Sequence, residues 1–168
     1  MPQSQATAIS TNMTFPSLKK PTHILATWFG IGLLKPAPGT WGSLAAVVTW
    51  YFLEPLLSWS WLTVSLFVLF ILVSWYACAA ASQDSNSNDH SAIVIDEVAG
   101  MLVALLFVPH TLMMYGSAFV LFRFFDILKP WPISWVDQNI KGGWGVLFDD
   151  LIAGLFTGVI ILLLSSMI

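Results

Sequence analysis

Five carboxylates in this chain stand where carboxylates are costly. Asp96 and Glu97 lie in AIVIDEVAGMLVALL, Asp149 and Asp150 in GVLFDDLIAGLF, and Asp126 in LFRFFDILKP, each within an apolar run. A charge at mid-bilayer costs about 2.5–3.5 kcal/mol on insertion scales, and less when it lies one turn inside. An acid in the first helical turn recovers about 0.3–1 kcal/mol from the helix dipole. That accounts for one acid per helix. It does not account for adjacent acids on two helices and a third helix carrying Arg123 and Asp126. Converging carboxylates repel one another unless a hard divalent cation lies between them. Mg²⁺ accepts one or two carboxylates, keeps waters and bridges to phosphate. Successive helical residues point about 100° apart, so each pair need not supply two ligands. One acid can bind the ion while its neighbour orients a water or a base. Asp96, Glu97, Asp149 and Asp150 are the candidate metal ligands. Asp96, Asp126 and Asp149 are candidate catalytic groups.

The basic residues nearby suit an anion. Arg123 and Asp126 are three apart and share a helical face. Lys129 stands where Pro130 ends the helix. Arg123 can grip phosphate through two N–H groups and Lys129 can act as a point charge; the plainer alternative is an ion pair within the helix. In Pro38-Gly39-Thr40-Trp41-Gly42-Ser43, glycines allow close approach, Thr40 and Ser43 supply hydroxyls, and a helix N-terminus offers free N–H groups to an anion. The same hydroxyls would serve as an ordinary N-cap. His90, next to Asp89, is a candidate general acid for a leaving alkoxide, or else a solvated loop residue. Gly142-Gly143-Trp144-Gly145 reads as a lid, a close-approach loop or a plain turn. Cys78 sits in an apolar run without a basic neighbour, which predicts inert packing.

These residues need helices to carry them. Five apolar runs, 43–57, 61–81, 92–108, 112–128 and 146–164, have 15, 21, 17, 17 and 19 residues. A bilayer core needs about 20 helical residues, with about 17 as the lower limit. The second and fifth runs fit, while the first spans only if residues 40–42 join it and is otherwise re-entrant. Residues 23–34 are apolar but short and predict an interfacial helix. The fold expected is an all-α polytopic membrane bundle of about five transmembrane helices plus that N-terminal helix. Residues 1–22 are expected to be a flexible tail and 23–168 a single membrane domain. Residues 1–22 do not read as a secretory signal. Trp41, Trp59, Trp61, Trp131, Trp135 and Trp144 fall at run boundaries, where indole rings favour the headgroup layer. Gly154 and Gly158 have a spacing that can support helix–helix packing.

With five spans, all 6 Lys and Arg fall on one side, and the positive-inside rule makes that side cytoplasmic. Eight of the 9 acids fall there too, which no topology rule requires; Glu54 and His110 face the other side. A re-entrant first run would move the acids across and turn Lys129 and Lys141 outward, against the charge rule.

The chain has 168 residues, 57% hydrophobic and 9% charged. Soluble domains run near a quarter charged, so a water-soluble globule is excluded. A single cysteine excludes a disulfide scaffold. A net charge of −3 argues against a nucleic-acid partner. Among phosphatase signatures, Cys78 lacks an Arg six residues on, no DxD occurs, and one Arg is too few for an Arg/His-rich site.

The strings PGTWGS, DHSAIVIDEVAG, FRFFDILKPWPISWVDQNIKGGWG and DDLIAG resemble phosphatidylglycerophosphatase A from about residue 23 to about residue 158. The order and spacing of charges from Arg123 through DDLIAG make the resemblance specific. Gln138 stands where that family commonly has a basic residue. The resemblance implies a Mg²⁺-dependent bacterial inner-membrane enzyme that removes the terminal phosphate of phosphatidylglycerophosphate to leave phosphatidylglycerol. It carries the family's acidic pairs onto Asp96–Glu97 and Asp149–Asp150, its FRxxD element onto Arg123 and Asp126, and KPWP onto Lys129. The residues agree. A phosphomonoester and a set of carboxylates meet only through a bridging cation, and a lipid substrate puts the site at headgroup level. Water or one of the aspartates would attack phosphorus, with Arg123 and Lys129 neutralising the charge that develops. The competing reading is a transporter with intramembrane carboxylates as ion sites, although the acids lie near one face and no inverted repeat is evident. A structural subunit that binds anionic lipid is a third.

Overall fold

The structure is a computed structural model and describes residues 15–57, 60–85 and 90–167. The described residues are helical, with no strand among them. The α-helices are α1 (Pro21–Ala26), α2 (Pro38–Leu53), α3 (Trp61–Ser85), α4 (Ile95–Leu105), α5 (Leu112–Leu128), α6 (Ile133–Asn139) and α7 (Gly142–Ser165). α3 and α7 are long and apolar enough to cross a membrane. Much of α3 is bare apolar surface, with Trp61, Leu62, Leu69 and Tyr76 all more than half exposed. Exposed apolar surface on that scale marks contact with a membrane or a partner.

Two side-chain clusters fix the order of the longer helices. Gly39, at the start of α2, lies against Glu97 at the start of α4 and Arg123 near the end of α5. At the opposite end, Tyr115 Oη donates to Glu54, and His110 Nδ1 lies 2.8 Å from Tyr115 Oη. Thus α2, α3, α4, α5 and α7 run alternately between an acidic end and the Glu54–His110 end. α2 has 16 residues, about 24 Å at 1.5 Å per residue, and runs from the acidic end to the Glu54–His110 end. It starts earlier than its apolar residues suggest, because Pro38 fits a first helical position.

The third run is corrected most. Its helix has only 11 residues, too short to span a bilayer core by itself. Residues before it are committed elsewhere: Val94 N–H donates to the Ala26 carbonyl at 2.9 Å. α4 is instead the buried axis, with Val98, Met101 and Leu105 packed against Ala46 and Trp50 of α2 and Tyr115 and Phe122 of α5. Backbone contact with α7 is made possible by glycine. A Cβ on Gly154 would lie 2.0 Å from the Gly100 carbonyl oxygen, and one on Gly100 would lie 2.4 Å from the Asp150 carbonyl oxygen. The Gly154/Gly158 stripe therefore packs within the chain, on α4. Gly154→Ala is expected to destabilise the protein by about 1–3 kcal/mol, as overpacking does. A thermal melt in detergent checks this, and an unchanged midpoint would mean α4 and α7 do not meet there.

The expected single helix over 23–34 breaks at Thr27. Its Oγ1 donates to the His23 carbonyl at 2.7 Å and accepts the Gly30 N–H at 3.1 Å. Trp28, Phe29 and Gly30 take positive φ before a 3₁₀ turn at Ile31–Leu33. Phe15 is buried against the rings of His23 and His90. Lys20 and the buried His23 reach Asp84 at the end of α3, at 2.9 and 2.8 Å. Trp41, Trp61, Trp131, Trp135 and Trp144 are all exposed; Trp59 lies outside the described residues.

Candidate active site

The N-terminus of α4, the C-terminus of α5 and the first turns of α7 enclose a cavity of about 220 Å³, with α6 alongside. Asp96, Glu97, Asp126, Lys129, Asp149 and Asp150 all line it. Asp96, Glu97 and Asp150 each bring one carboxylate oxygen within 4.8 Å of the other two. Asp150 is 3% exposed, and both Asp150 Oδ1 and Glu97 Oε2 are buried without a hydrogen-bond partner. A buried carboxylate oxygen left this way is costly. Hard oxygen donors in a close, buried set are what Mg²⁺ takes. The residues present therefore fit that ion.

The DD pair divides its work. Asp150 faces the carboxylate set. Asp149 instead accepts a hydrogen bond from Lys129 Nζ through Oδ2, while its Oδ1 is buried and unpartnered. Asp149 is thus not part of the three-carboxylate set that the sequence led us to expect it to join. On α4, by contrast, both acids of the pair belong to the set.

Lys129 caps α5 with a left-handed backbone, φ 43, and Pro130 forbids the helix to continue. Its ammonium bridges α6 and α7, donating to Asp137 at 2.6 Å and to Asp149. Burial works against the charge on Lys129. The hydrogen bonds to Asp137 and Asp149 outweigh it and hold the ammonium above its ordinary pKa.

Arg123 is paired with Asp126 three residues on, and its Nη1 lies 3.9 Å from Glu97 Oε1. Ser43 receives Arg123 Nη1 at 3.5 Å and donates to the Gly39 carbonyl at 2.9 Å. Ser43 is therefore inside α2, and the N-cap is Ala37. Thr40 is half-buried on the same first turn. His90 is not brought to the cavity. Its Nδ1 accepts the Ala92 N–H at 3.2 Å and its ring stands edge-on to Phe15. Asp89 lies outside the described residues. Cys78 is fully buried. Gly39, one of the glycines whose segment allows close approach, is the one that meets the acid set. A Cβ there would stand 1.9 Å from Glu97 Oε1, and the signal was a glycine one turn before a serine.

The family model of phosphatidylglycerophosphatase A matches residues 24–165. The chain belongs to the phosphatidylglycerophosphatase A family. A phosphatidylglycerophosphatase A of Haemophilus influenzae is 39% identical over 150 residues, covering 86% of this chain and 89% of that protein. The Escherichia coli phosphatidylglycerophosphatase A is 40% identical over 146 residues, covering 86% and 83%. A Bacteroides thetaiotaomicron protein provisionally named a phosphatidylinositol-3-phosphatase is 38% identical over 153 residues, covering 86% and 95%. No solved structure matches the chain. Membership of a phosphatase family leaves the transporter reading without support.

Proposed function

We propose that this protein hydrolyses the terminal phosphomonoester of phosphatidylglycerophosphate, giving phosphatidylglycerol and phosphate, with Mg²⁺ as cofactor. The observation that carries this reading is the set formed by Asp96, Glu97 and Asp150 in the same cavity as Arg123's partner Asp126 and Lys129. Asp96, Glu97 and Asp150 would hold the ion. When bound, it supplies Lewis-acid polarisation of the phosphoryl oxygens and neutralises the acids around it.

The chain's own groups do the rest. Arg123 and Lys129 are fixed cations for the charge that builds on the phosphoryl oxygens, and preorganisation makes them effective. Asp126 holds the guanidinium, and Asp149 holds the ammonium. Asp149 Oδ1 is the acid placed to take a proton from an attacking water. As the water oxygen bonds to phosphorus, the P–O bond to the glycerol breaks, and the leaving alkoxide is reprotonated at the open mouth. Trapping of a labile phosphoenzyme would instead make an aspartate the nucleophile.

In this reading the helix bundle crosses the bacterial inner membrane, with the short α4 sheltered inside the other helices. The acidic end, which also carries Lys20, Lys129 and Lys141, faces the cytoplasm. The lipid's acyl chains stay in the bilayer while its headgroup enters the cavity. Purified protein in mixed micelles is expected to release phosphate from phosphatidylglycerophosphate, to stop on chelation and to resume with added Mg²⁺. Full turnover in chelator would remove the metal from the reading, and a preference for phosphatidylinositol 3-phosphate would replace the substrate.

A further inference from the structure

The cavity is charged oppositely at its two levels. Its floor is the buried acid set. Its rim carries Lys141 and Asp137, and Lys129 stands between rim and floor, bonded to Asp137 and to Asp149. Asp150 lies eight residues along α7 from Gly142, about 12 Å at 1.5 Å per residue. A phosphate engaged by the floor is therefore well separated from the rim.

The two lysines are not equivalent. Lys129 is committed to Asp137 and Asp149. Lys141 is exposed, and among the described residues its Nζ reaches only the Asp137 backbone carbonyl, at 3.4 Å, with no carboxylate in ion-pair range. Asp137 thus holds both lysines in place, one by its side chain and one by its carbonyl. Lys141 is also the N-cap of α7, whose first turn carries no acid and no capping side chain. The free N–H groups there add partial positive charge. Gly142 takes φ +73 and faces open space, so nothing crowds this corner. Trp131 and Trp135, both exposed on the adjoining segment, set the rim at headgroup level. In a lipid with a terminal phosphomonoester beyond a glycerol spacer, that is the level of the phosphodiester.

We propose that Lys141 binds the phosphodiester of the substrate while the floor takes the terminal phosphate, so that the enzyme selects lipids bearing both groups. This rests on the lipid-phosphatase reading above. It adds a residue and a basis for selectivity that the acid set does not provide.

The test uses the full chain in detergent micelles. Lys141→Gln is expected to raise KM for phosphatidylglycerophosphate about fivefold, the scale of one exposed ion pair, with kcat within about twofold. Lys141→Arg is expected to restore KM. Binding separates the two seats. Inorganic phosphate, which addresses the floor, is expected to inhibit parent and variant equally. Short-chain phosphatidylglycerol, which offers only the diester, is expected to bind the variant about fivefold more weakly. An unchanged KM overturns the proposal, as does equal weakening of inorganic phosphate and phosphatidylglycerol. If the parent releases no phosphate from phosphatidylglycerophosphate, the function reading fails instead, and the phosphatidylglycerol binding comparison still decides the role of Lys141.

Discussion

Glu97→Gln is expected to lower kcat by about a thousandfold while the protein stays folded. Glu97 supplies one of three carboxylate oxygens lying within 4.8 Å of one another. The amide keeps the shape and removes the charge that a hard cation needs. An ion worth several kcal/mol of charge stabilisation corresponds to about three decades at 1.36 kcal/mol per decade. Melting curves separate this from simple damage. In chelator the acids repel one another, so the variant is expected to melt no lower than the parent. Mg²⁺ is expected to raise the melting point of the parent, as any ligand of the folded state does, and to leave the variant where it was. A variant that retains turnover, or a parent that Mg²⁺ does not stabilise, would falsify the assignment of Glu97 to the ion.

Gly39→Ala is expected to cost about a hundredfold in kcat/KM with little change in stability. The added methyl would sit 1.9 Å from Glu97 Oε1 and 3.1 Å from Arg123 Nη1. Both are the far ends of flexible side chains, so the fold can yield where the site cannot. A displacement of about 1 Å in a positioning group costs on the order of 10²-fold. This contrasts with Gly154→Ala, where the obstacle is the Gly100 backbone and stability takes the loss. Steady-state kinetics and melting on the two variants side by side check the division. Equal loss of stability in both would mean that Gly39 is a packing glycine only.

The gathering of the acids was readable before the fold. Acids inside apolar runs, adjacent on two segments and joined by Arg123–Asp126 on a third, need convergence and a cation to be tolerable, and that argument uses no coordinates. Run length found α5 to the residue and α3 and α7 to within a few, because a long apolar stretch has no other way to satisfy its backbone in lipid. The shorter segments were less legible. α4 looked like a span by composition, yet part of its run is used in an extended link to Ala26, and apolar content cannot tell a buried axis from a lipid-facing helix. The break at Thr27 depends on a side-chain hydroxyl and left-handed residues, which leave no periodic trace.

At the site, residue type and spacing alone determined which carboxylates and cations would gather and at which end of the bundle, since charge is tolerated there only in company. Tertiary structure alone decided how they divide: Asp150 toward the acid set and Asp149 toward Lys129, His90 turned to Phe15, and Gly39 left bare to admit Glu97. Those outcomes depend on the angles at which α2, α4, α5 and α7 cross, and crossing angles are set by packing between helices remote in sequence.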